Sequence, residues 1–206
     1  MTQVRFAIRL AAITLAALLL SGCSGPSMDP LAPDEVILAF GDSLTEGVGA
    51  TRAQSYPARL AELSGHPVVN AGVSGEITAE GVDRLPDVLE QTDPGLMILL
   101  LGGNDILRNG SHAEAKRHLS RMIETALERD VQVLLIGVPE KSLFSSSAAL
   151  YEELAEEHDV PLMDGMVASL LRKPEYKSDQ VHLNAAGYRE MAGRIHARLV
   201  EEGVLR

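Results

Sequence analysis

Short apolar runs that alternate with stretches of helical periodicity constrain the fold of this 206-residue chain more than any other feature. The clearest run covers residues 96–101 (LMILLL), which is unbroken, as in strands that are covered on both faces. The predicted strands cover residues 36–40, 68–70, 96–101, 131–138 and 160–163. The predicted helices cover residues 52–63, 77–89, 111–129, 148–158 and 184–202. This repeated strand–helix alternation predicts an α/β fold, a three-layer α/β/α sandwich around a parallel sheet, in one domain over residues 36–206.

The composition excludes several classes of protein. Apolar residues make up 46% of the chain and charged residues 23%, which argues against a wholly disordered chain and against a polytopic membrane protein. The chain carries 29 acidic and 18 basic residues, and no basic cluster offers a surface to a phosphate backbone, so we expect no nucleic-acid partner. Cys23 is the single cysteine, which excludes an intramolecular disulfide and a cysteine-rich metal site.

The N-terminal residues predict a signal peptide that ends at a lipidated cysteine. Arg5 and Arg9 give the segment a positively charged start. The apolar run over residues 10–20 that follows them is too short to span a bilayer comfortably. The Leu-Ser-Gly-Cys sequence that follows resembles a bacterial lipobox, in which the cysteine takes a lipid and becomes the new N-terminus. We therefore predict a signal peptide over residues 1–22, a lipid on Cys23 and membrane attachment through acyl chains alone. The competing interpretation is a free cysteine beside an ordinary signal peptide.

The residues next to Cys23 predict a location and a tether. Ser24, and not Asp, follows the cysteine, which by resemblance to the sorting of Gram-negative lipoproteins favours the periplasmic face of the outer membrane. Residues 23–35 contain three prolines together with Gly and Ser, a composition typical of a flexible tether. We therefore expect a domain that its lipid holds in the bacterial cell envelope.

Four polar blocks stand where the predicted strands end, or on a loop that reaches the same edge. They are residues 41–44 (GDSL), 70–75 (NAGVSG), 102–105 (GGND) and 179–182 (DQVH). Parallel strands with right-handed crossovers deliver their carboxyl ends to one edge of a sheet. We therefore expect the four blocks to converge.

These blocks contain the groups that acyl transfer requires. A serine needs a base to become a nucleophile, and a histidine needs a carboxylate to hold its tautomer. Ser43, His182 and Asp179 are therefore the predicted catalytic residues. Glycine lets a backbone N–H approach a developing oxyanion closely, and an asparagine amide adds a side-chain donor. We predict an oxyanion hole formed by the N–H groups of Ser43 and Gly72 and by the side chain of Asn104.

In this order, the four blocks resemble the SGNH hydrolase superfamily, also called the GDSL family. The likeness covers nearly all of the predicted domain, and the phrases GDSLTEGVGA, VVNAGVSGE and LLLGGNDILR are most similar to the thioesterase I, arylesterase and lysophospholipase group. Ser43, Gly72, Asn104 and His182 match the four residues that name the superfamily. The resemblance implies a five-stranded parallel sheet in flavodoxin-like order, with no metal and no cofactor.

Apolar loop residues near the blocks are candidates for the substrate pocket. We expect them to line an acyl groove, and the competing interpretation is that they only pack the loops onto the core. The candidates are Ile106, Leu107, Leu143, Phe144 and Val181. Asp42 and Asp105 are interpreted as local hydrogen-bonding residues that fix their loops. No further His or Cys lies close to Asp179 and His182 in the sequence, so no metal site is predicted.

Together these features predict a serine esterase that hydrolyses carboxylic esters or thioesters of single acyl chains through an acyl-enzyme. We expect a small acyl ester or lipid as substrate and a monomeric protein. An acetylesterase acting on a glycan is one alternative, and a ligand-binding lipoprotein that keeps the fold without catalysis is another. Flavin or nucleotide binding is a third alternative, because residues 41–49 contain the Gly, Ser and Thr of a phosphate loop.

Overall fold

Five parallel strands form one sheet in the computed structural model, which describes residues 27–141 and 146–206. The predicted signal peptide and Cys23 lie outside the described residues. The strands are β1 (Val36–Gly41), β2 (Val68–Gly72), β3 (Pro94–Leu100), β4 (Gln132–Ile136) and β5 (Leu162–Met163). Their order is β2-β1-β3-β4-β5, and every neighbouring pair is parallel. This order confirms the expected five-stranded, flavodoxin-like α/β fold.

Helices cover both faces of the sheet. They are α1 (Ser43–Glu46), α2 (Tyr56–Ser64), α3 (Thr78–Thr92), α4 (Gly103–Leu107), α5 (His112–Leu127), α6 (Ala149–His158), α7 (Met166–Leu171) and α8 (Ala185–Glu201), with 3-10 turns at Arg52–Gln54 and Pro174–Tyr176. The α2 helix packs on α8, whereas α3 packs on α5 and α5 packs on α6. Right-handed crossovers in this strand order place the first pair on one face and the other three helices on the opposite face. Throughout the described part of the chain, every helix falls short of the length and hydropathy that a membrane-crossing segment requires.

The central strands form the middle of the hydrophobic core. Residues 37–40 of β1 and 96–99 of β3 have fully buried side chains, as expected for strands that helices cover on both faces. At the end of β3, the hydroxyl of Tyr151 donates to the Leu101 carbonyl at 2.8 Å. This bond satisfies a backbone acceptor at the point where the strand leaves its ladder.

Strand β3 begins at Pro94, inside an Asp-Pro-Gly sequence that favours a turn. Asp93 alone makes the turn, because it ends α3 in the left-handed conformation with a φ of 41°. Pro94 then occupies the first strand position, where a missing N–H is tolerated. The short helices α1, α4 and α7 escape sequence prediction because four, five and six residues show no clear helical period.

The residues before β1 lie against the domain, although their composition predicts a flexible tether. Met28 is 8% exposed and belongs to the hydrophobic core. The side-chain amide of the first β4 residue donates to the Asp29 carbonyl at 3.0 Å, and the Leu31 N–H donates to the Val204 carbonyl at 3.0 Å. Two apolar side chains among the prolines explain the difference, because burying them offsets the cost of ordering the chain. We call residues 28–35 the strap.

Candidate active site

A continuous chain of hydrogen bonds joins Ser43, His182 and Asp179 at the carboxyl edge of the sheet. Ser43 Oγ lies 3.1 Å from His182 Nε2. On the other side of the ring, His182 Nδ1 lies 2.8 Å from Asp179 Oδ2. With its proton on Nδ1, the ring donates to the carboxylate and presents Nε2 as the acceptor for the serine hydroxyl. The structure thus brings together three side chains that the sequence predicts from separate segments.

The junction between β1 and α1 places Ser43. Asp42 caps α1, because its Oδ1 accepts a hydrogen bond from the Leu44 N–H at 3.1 Å. Ser43 is therefore the first residue of the helix and not its cap, so the helix does not require the serine hydroxyl. That hydroxyl is left to bond with the imidazole.

A loop between the second 3-10 turn and α8 holds His182. The Ser178 N–H donates to the His182 carbonyl at 3.1 Å, and Leu183 is fully buried beneath the loop. Asn184 caps α8: its Oδ1 accepts from two N–H groups of the helix, and its Nδ2 donates to the Lys177 carbonyl at 3.1 Å. An apolar anchor and a bridging amide therefore fix the position of the ring.

Backbone hydrogen bonds orient the Asp179 carboxylate, although its side chain is 54% exposed. Its Oδ1 accepts from the N–H groups of Val181 and His182, each at 2.8 Å. Desolvation acts to raise the pKa of Asp179, but the Val181 N–H, the His182 ring and the His182 N–H together outweigh it and lower the pKa to about 2. The carboxylate is therefore ionised at any pH at which an ordinary histidine titrates.

Asn104 reaches the same edge from α4, the short helix that follows β3. Its Nδ2 donates to the Glu76 carbonyl at 2.9 Å and lies 3.4 Å from Asp42 Oδ2. The longer contact binds the second amide hydrogen weakly, which leaves it available to an oxygen in the site. Asn104 therefore lines the same cavity as Ser43.

The structure does not place Gly72 among the residues that line the cavity at Ser43. Gly72 ends β2, and its N–H donates to Asn70 Oδ1 at 3.0 Å. A Cβ atom here would lie 2.1 Å from the Glu46 nitrogen. Glycine is therefore required at this position because β2 and α1 approach each other so closely. Gly75, with a φ of 81°, lines the cavity instead, and its N–H meets no acceptor among the described residues.

Sequence reasoning missed Gly75, because the predicted strand over residues 68–70 ends before both glycines of the block NAGVSG. In the structure β2 continues to Gly72, and only Gly75 lies beyond its end. N–H groups within a strand donate to the neighbouring strand, so the backbone N–H groups that are free to bind a ligand at a sheet edge lie in the loop after the strand.

A cavity of about 620 Å³ opens beside Ser43 and His182, a volume typical of small-molecule sites. Its apolar lining residues are Leu44, Ile106, Leu107, Val138, Pro139, Val167, Leu171 and Val181. Its polar lining includes Ser43, Asn104 and His182. The cavity therefore joins an apolar wall to a reactive polar edge.

Three of the five predicted pocket residues lie in this wall. Ile106, Leu107 and Val181 line the cavity, whereas Leu143 and Phe144 lie outside the described residues. Leu107 and Val181 are 47% and 36% exposed, so both leave apolar surface open to a ligand rather than packing wholly onto the core. Sequence reasoning missed the two lining residues from α7, because no local pattern connects that helix with the site.

Asp42 and Asp105 each bind backbone groups of the site loops, which agrees with their interpretation as loop-fixing residues. Asp105 accepts from the N–H and the hydroxyl of Thr78, at 3.0 and 2.7 Å, and so ties α4 to the first turn of α3. Asp42 is 5% exposed. Desolvation by burial raises the pKa of Asp42 to about 7; the Leu44 N–H opposes this rise and the Glu76 carboxylate adds to it.

The arrangement has the parts that acyl transfer needs: a hydroxyl beside a base, hydrogen-bond donors at the same edge and an apolar cavity. Within residues 27–141 and 146–206, no group of three or more His, Cys, Asp or Glu side chains is placed to hold a metal ion.

Comparison with known proteins identifies the family to which this arrangement belongs. Residues 39–190 match the GDSL-like Lipase/Acylhydrolase family. The chain belongs to the GDSL family. This confirms the resemblance found in the sequence, and hydrolysis of carboxylic esters is therefore the activity of the chain.

Relatives with this activity span most of the chain. The thioesterase 1/protease 1/lysophospholipase L1 of Escherichia coli K12 is 30% identical over 158 residues, which are 73% of this chain and 76% of the relative. The arylesterase of Vibrio mimicus is 33% identical over 155 residues, which are 70% of this chain and 78% of the relative. The solved structure of AlinE4, an SGNH-hydrolase family esterase, has a TM-score of 0.64 at 34% identity and covers 83% of this chain and 97% of its own. The psychrotrophic esterase EstA from Pseudoalteromonas shares the fold, with a TM-score of 0.72 at 22% identity over 82% of this chain and 98% of its own.

We predict that the free energy of unfolding decreases as the pH rises from about 4 to about 7, by up to about 1.4 kcal/mol per pH unit. The folded state keeps the Asp42 carboxyl protonated up to its pKa of about 7, whereas the unfolded chain releases this proton near the ordinary value of 3.8. The folded state therefore binds more protons in this range, and the contribution of Asp42 is present at low pH and lost as the pH rises. In Asp42→Asn, which cannot ionise, this component of the decrease is absent.

Urea denaturation at several pH values measures the effect. Asp83→Asn, on the exposed face of α3, is the control with the same change of charge. An identical pH dependence in the wild type and in Asp42→Asn would contradict the assignment.

Proposed function

We propose that Ser43, His182 and Asp179 act as a catalytic triad. The observation that supports this most strongly is the unbroken hydrogen-bond chain, with distances of 2.8 and 3.1 Å, from carboxylate through imidazole to hydroxyl. Ser43 Oγ attacks the carbonyl carbon while His182 Nε2 takes its proton, and the Asp179 carboxylate stabilises the imidazolium that forms. His182 then protonates the leaving alcohol or thiol, and the acyl group stays on Ser43. Water activated by the same imidazole releases the acid and restores the serine.

We propose that the oxyanion is held by the N–H groups of Ser43 and Gly75 and by the side chain of Asn104. Gly75 takes the place that the sequence assigns to Gly72, since its N–H has no described acceptor and Gly75 lines the cavity. Arg108 Nη2 donates to the Gly75 carbonyl at 2.9 Å, which supports a fixed orientation of that loop. Donors fixed before the reaction stabilise a developing charge without reorganisation.

The proposed substrates are esters or thioesters of a single acyl chain longer than acetyl. An acetyl group would leave most of the 620 Å³ cavity, and most of the eight described apolar residues that line it, without a ligand contact. Both kinds of ester give the same acyl-enzyme, and names of relatives in the family include a thioesterase, a lysophospholipase and an arylesterase. The cavity therefore favours this reading over an acetylesterase with a shallow site.

Activity on p-nitrophenyl esters from acetate to decanoate tests both proposals. We expect kcat/KM to rise about threefold to fourfold per added methylene until the cavity is filled, because each buried CH₂ contributes about 0.8 kcal/mol. Ser43→Ala is expected to abolish turnover of every ester in the series. Ser64→Ala, at the distant end of α2, is the matched control.

Two outcomes of this series would count against the proposal. Turnover retained by Ser43→Ala would remove the nucleophile, and the highest kcat/KM on acetate would reinstate the acetylesterase.

The structure of a phosphonate adduct on Ser43 distinguishes Gly75 from Gly72. We expect the phosphoryl oxygen to lie about 2.7–3.1 Å from the Gly75 nitrogen and from Asn104 Nδ2, the range in which oxyanion donors bind. Asn104→Ala is expected to lower kcat by about 10²–10³-fold, the usual effect of one lost donor. An oxygen bonded to the Gly72 nitrogen, with Gly75 pointing elsewhere, would return the role to Gly72.

We also propose that the chain is lipid-anchored at Cys23 on the periplasmic face of the outer membrane, and that residues 1–22 are its signal peptide. The support is in the sequence: two arginines, an apolar run of 11 residues, and Leu-Ser-Gly-Cys followed by a serine. Acyl chains on one cysteine would hold the esterase at a membrane with no polypeptide crossing it. The same proposal treats the protein as a monomer.

Labelling in a Gram-negative host tests the anchor. Radiolabelled palmitate is expected to enter the wild type and to be absent from Cys23→Ala, because the lipid requires that thiol. Ser24→Asp is expected to keep the label and to move the protein to the inner-membrane fraction. An unlabelled wild type, or label that persists in Cys23→Ala, would contradict the proposal.

A further inference from the structure

A buried ion pair lies directly behind the loop that carries Gly75. The Glu76 side chain is 3% exposed, and its two carboxylate oxygens each accept a hydrogen bond from Arg84, at 2.7 Å from Nε and 2.7 Å from Nη2. This paired geometry holds both partners in one orientation and is among the stronger hydrogen-bonding arrangements in proteins. A carboxylate so deeply buried would be costly without its cation.

Arg84 is itself fixed by the sheet. It projects from the middle of α3, its guanidinium lies 4.1 Å from the centre of the Phe40 ring in β1, and its Nη2 donates to the Ala71 carbonyl of β2 at 3.1 Å. These contacts connect one helix and two strands to the Glu76 carboxylate. Through Arg84, the Glu76 carboxylate therefore connects the loop that carries Gly75 to α3 and to the central strands of the sheet.

The backbone of Glu76 in turn touches the site. Its carbonyl accepts the hydrogen bond from Asn104 Nδ2 at 2.9 Å, and Glu76 directly follows Gly75, which lines the cavity. The two donors proposed for the oxyanion thus depend on consecutive residues, since Gly75 supplies its own N–H and Glu76 supplies the carbonyl that holds Asn104. A displacement of this loop would move both of them.

We propose that Glu76 and Arg84 are a positioning pair for the oxyanion hole. This inference rests on the proposed function, since it assigns a role relative to Gly75 and Asn104. The pair acts in two ways: the paired hydrogen bonds fix the loop, and the Arg84 charge neutralises a carboxylate that would otherwise oppose negative charge developing nearby. Neither side chain touches the substrate.

The two actions predict an order among variants. Glu76→Gln keeps a hydrogen-bonding side chain without a charge, and we expect kcat to fall about tenfold with KM changed less than twofold. Arg84→Gln leaves the Glu76 carboxylate buried and unpaired, so we expect a loss of about a hundredfold, at the lower end of the effect of removing a donor outright. The double variant removes the unpaired charge, and we expect it to recover activity to about the level of Glu76→Gln.

The experiment measures kcat and KM on p-nitrophenyl butyrate together with the affinity for butylboronic acid, which forms a tetrahedral adduct on a serine. The boronate affinity is expected to fall in parallel with kcat/KM, while inhibition by hexanoate, which reports on the apolar cavity, stays unchanged. Glu62→Gln removes the exposed pair that Arg59 and Glu62 form on α2 at 2.8 Å, and as the control it is expected to alter none of these values. Circular dichroism and the melting temperature establish that each variant is folded under the assay conditions.

Several results would overturn the proposal. They are a folded Glu76→Gln with unchanged kcat and boronate affinity, a loss of activity that only follows the unfolded fraction, or a double variant no better than Arg84→Gln. If Glu76→Gln does not fold, Arg84→Lys replaces it, because the ammonium keeps the charge but loses the paired geometry. An unchanged kcat in that variant would also overturn the proposal.

Ser43→Ala distinguishes this inference from the proposed function on which it rests. Activity without Ser43 refutes the proposed function, whereas an inactive Ser43→Ala beside a fully active Glu76→Gln refutes this inference alone.

Discussion

The common direction of neighbouring strands is the constraint on which the site depends. Because β1, β2 and β3 are parallel, the chain leaves each of them at the same edge of the sheet. Their register makes the exits level, since Gly41 pairs with Gly72 on one side and with Leu100 on the other. Residues far apart in sequence therefore reach a common rim without long connecting loops. The covered, apolar strands below that rim supply the rigidity that a small set of polar groups needs.

The pKa values of two aspartates at this rim shift in opposite directions because their surroundings differ. Asp179 is more than half exposed, yet backbone N–H groups and the imidazole hold its pKa at about 2. Asp42 is buried, and its pKa rises to about 7. In the proposed reaction, a negative Asp179 supports the imidazolium, whereas below a pH of about 7 the proton on Asp42 removes a negative charge from the neighbourhood of the oxyanion. Local hydrogen bonds and desolvation, and not residue type, set these opposite states.

Periodicity and residue type predict the fold and the chemical groups, and contacts across the tertiary structure decide the rest. The alternation of strands and helices is a local property, so it indicates the sheet, and Ser43 and His182 are recognisable because few other groups of their type stand at a strand end or beside an aspartate. Gly72 and Gly75 cannot be told apart in this way, because they differ only in backbone conformation and hydrogen bonding. The α7 wall of the cavity and the pairing of Glu76 also depend on packing between distant segments.

The strap and the cavity lie at opposite ends of the sheet along the strand direction. Its bonds to the first residue of β4 and to Val204 lie at the amino ends of the strands, whereas the cavity opens at their carboxyl ends. The strap therefore meets the domain at the end opposite to Ser43. In the proposed lipid-anchored form, the cavity would open away from the anchored end, so an ester would arrive, and its acid product would leave, on the side that faces away from the membrane.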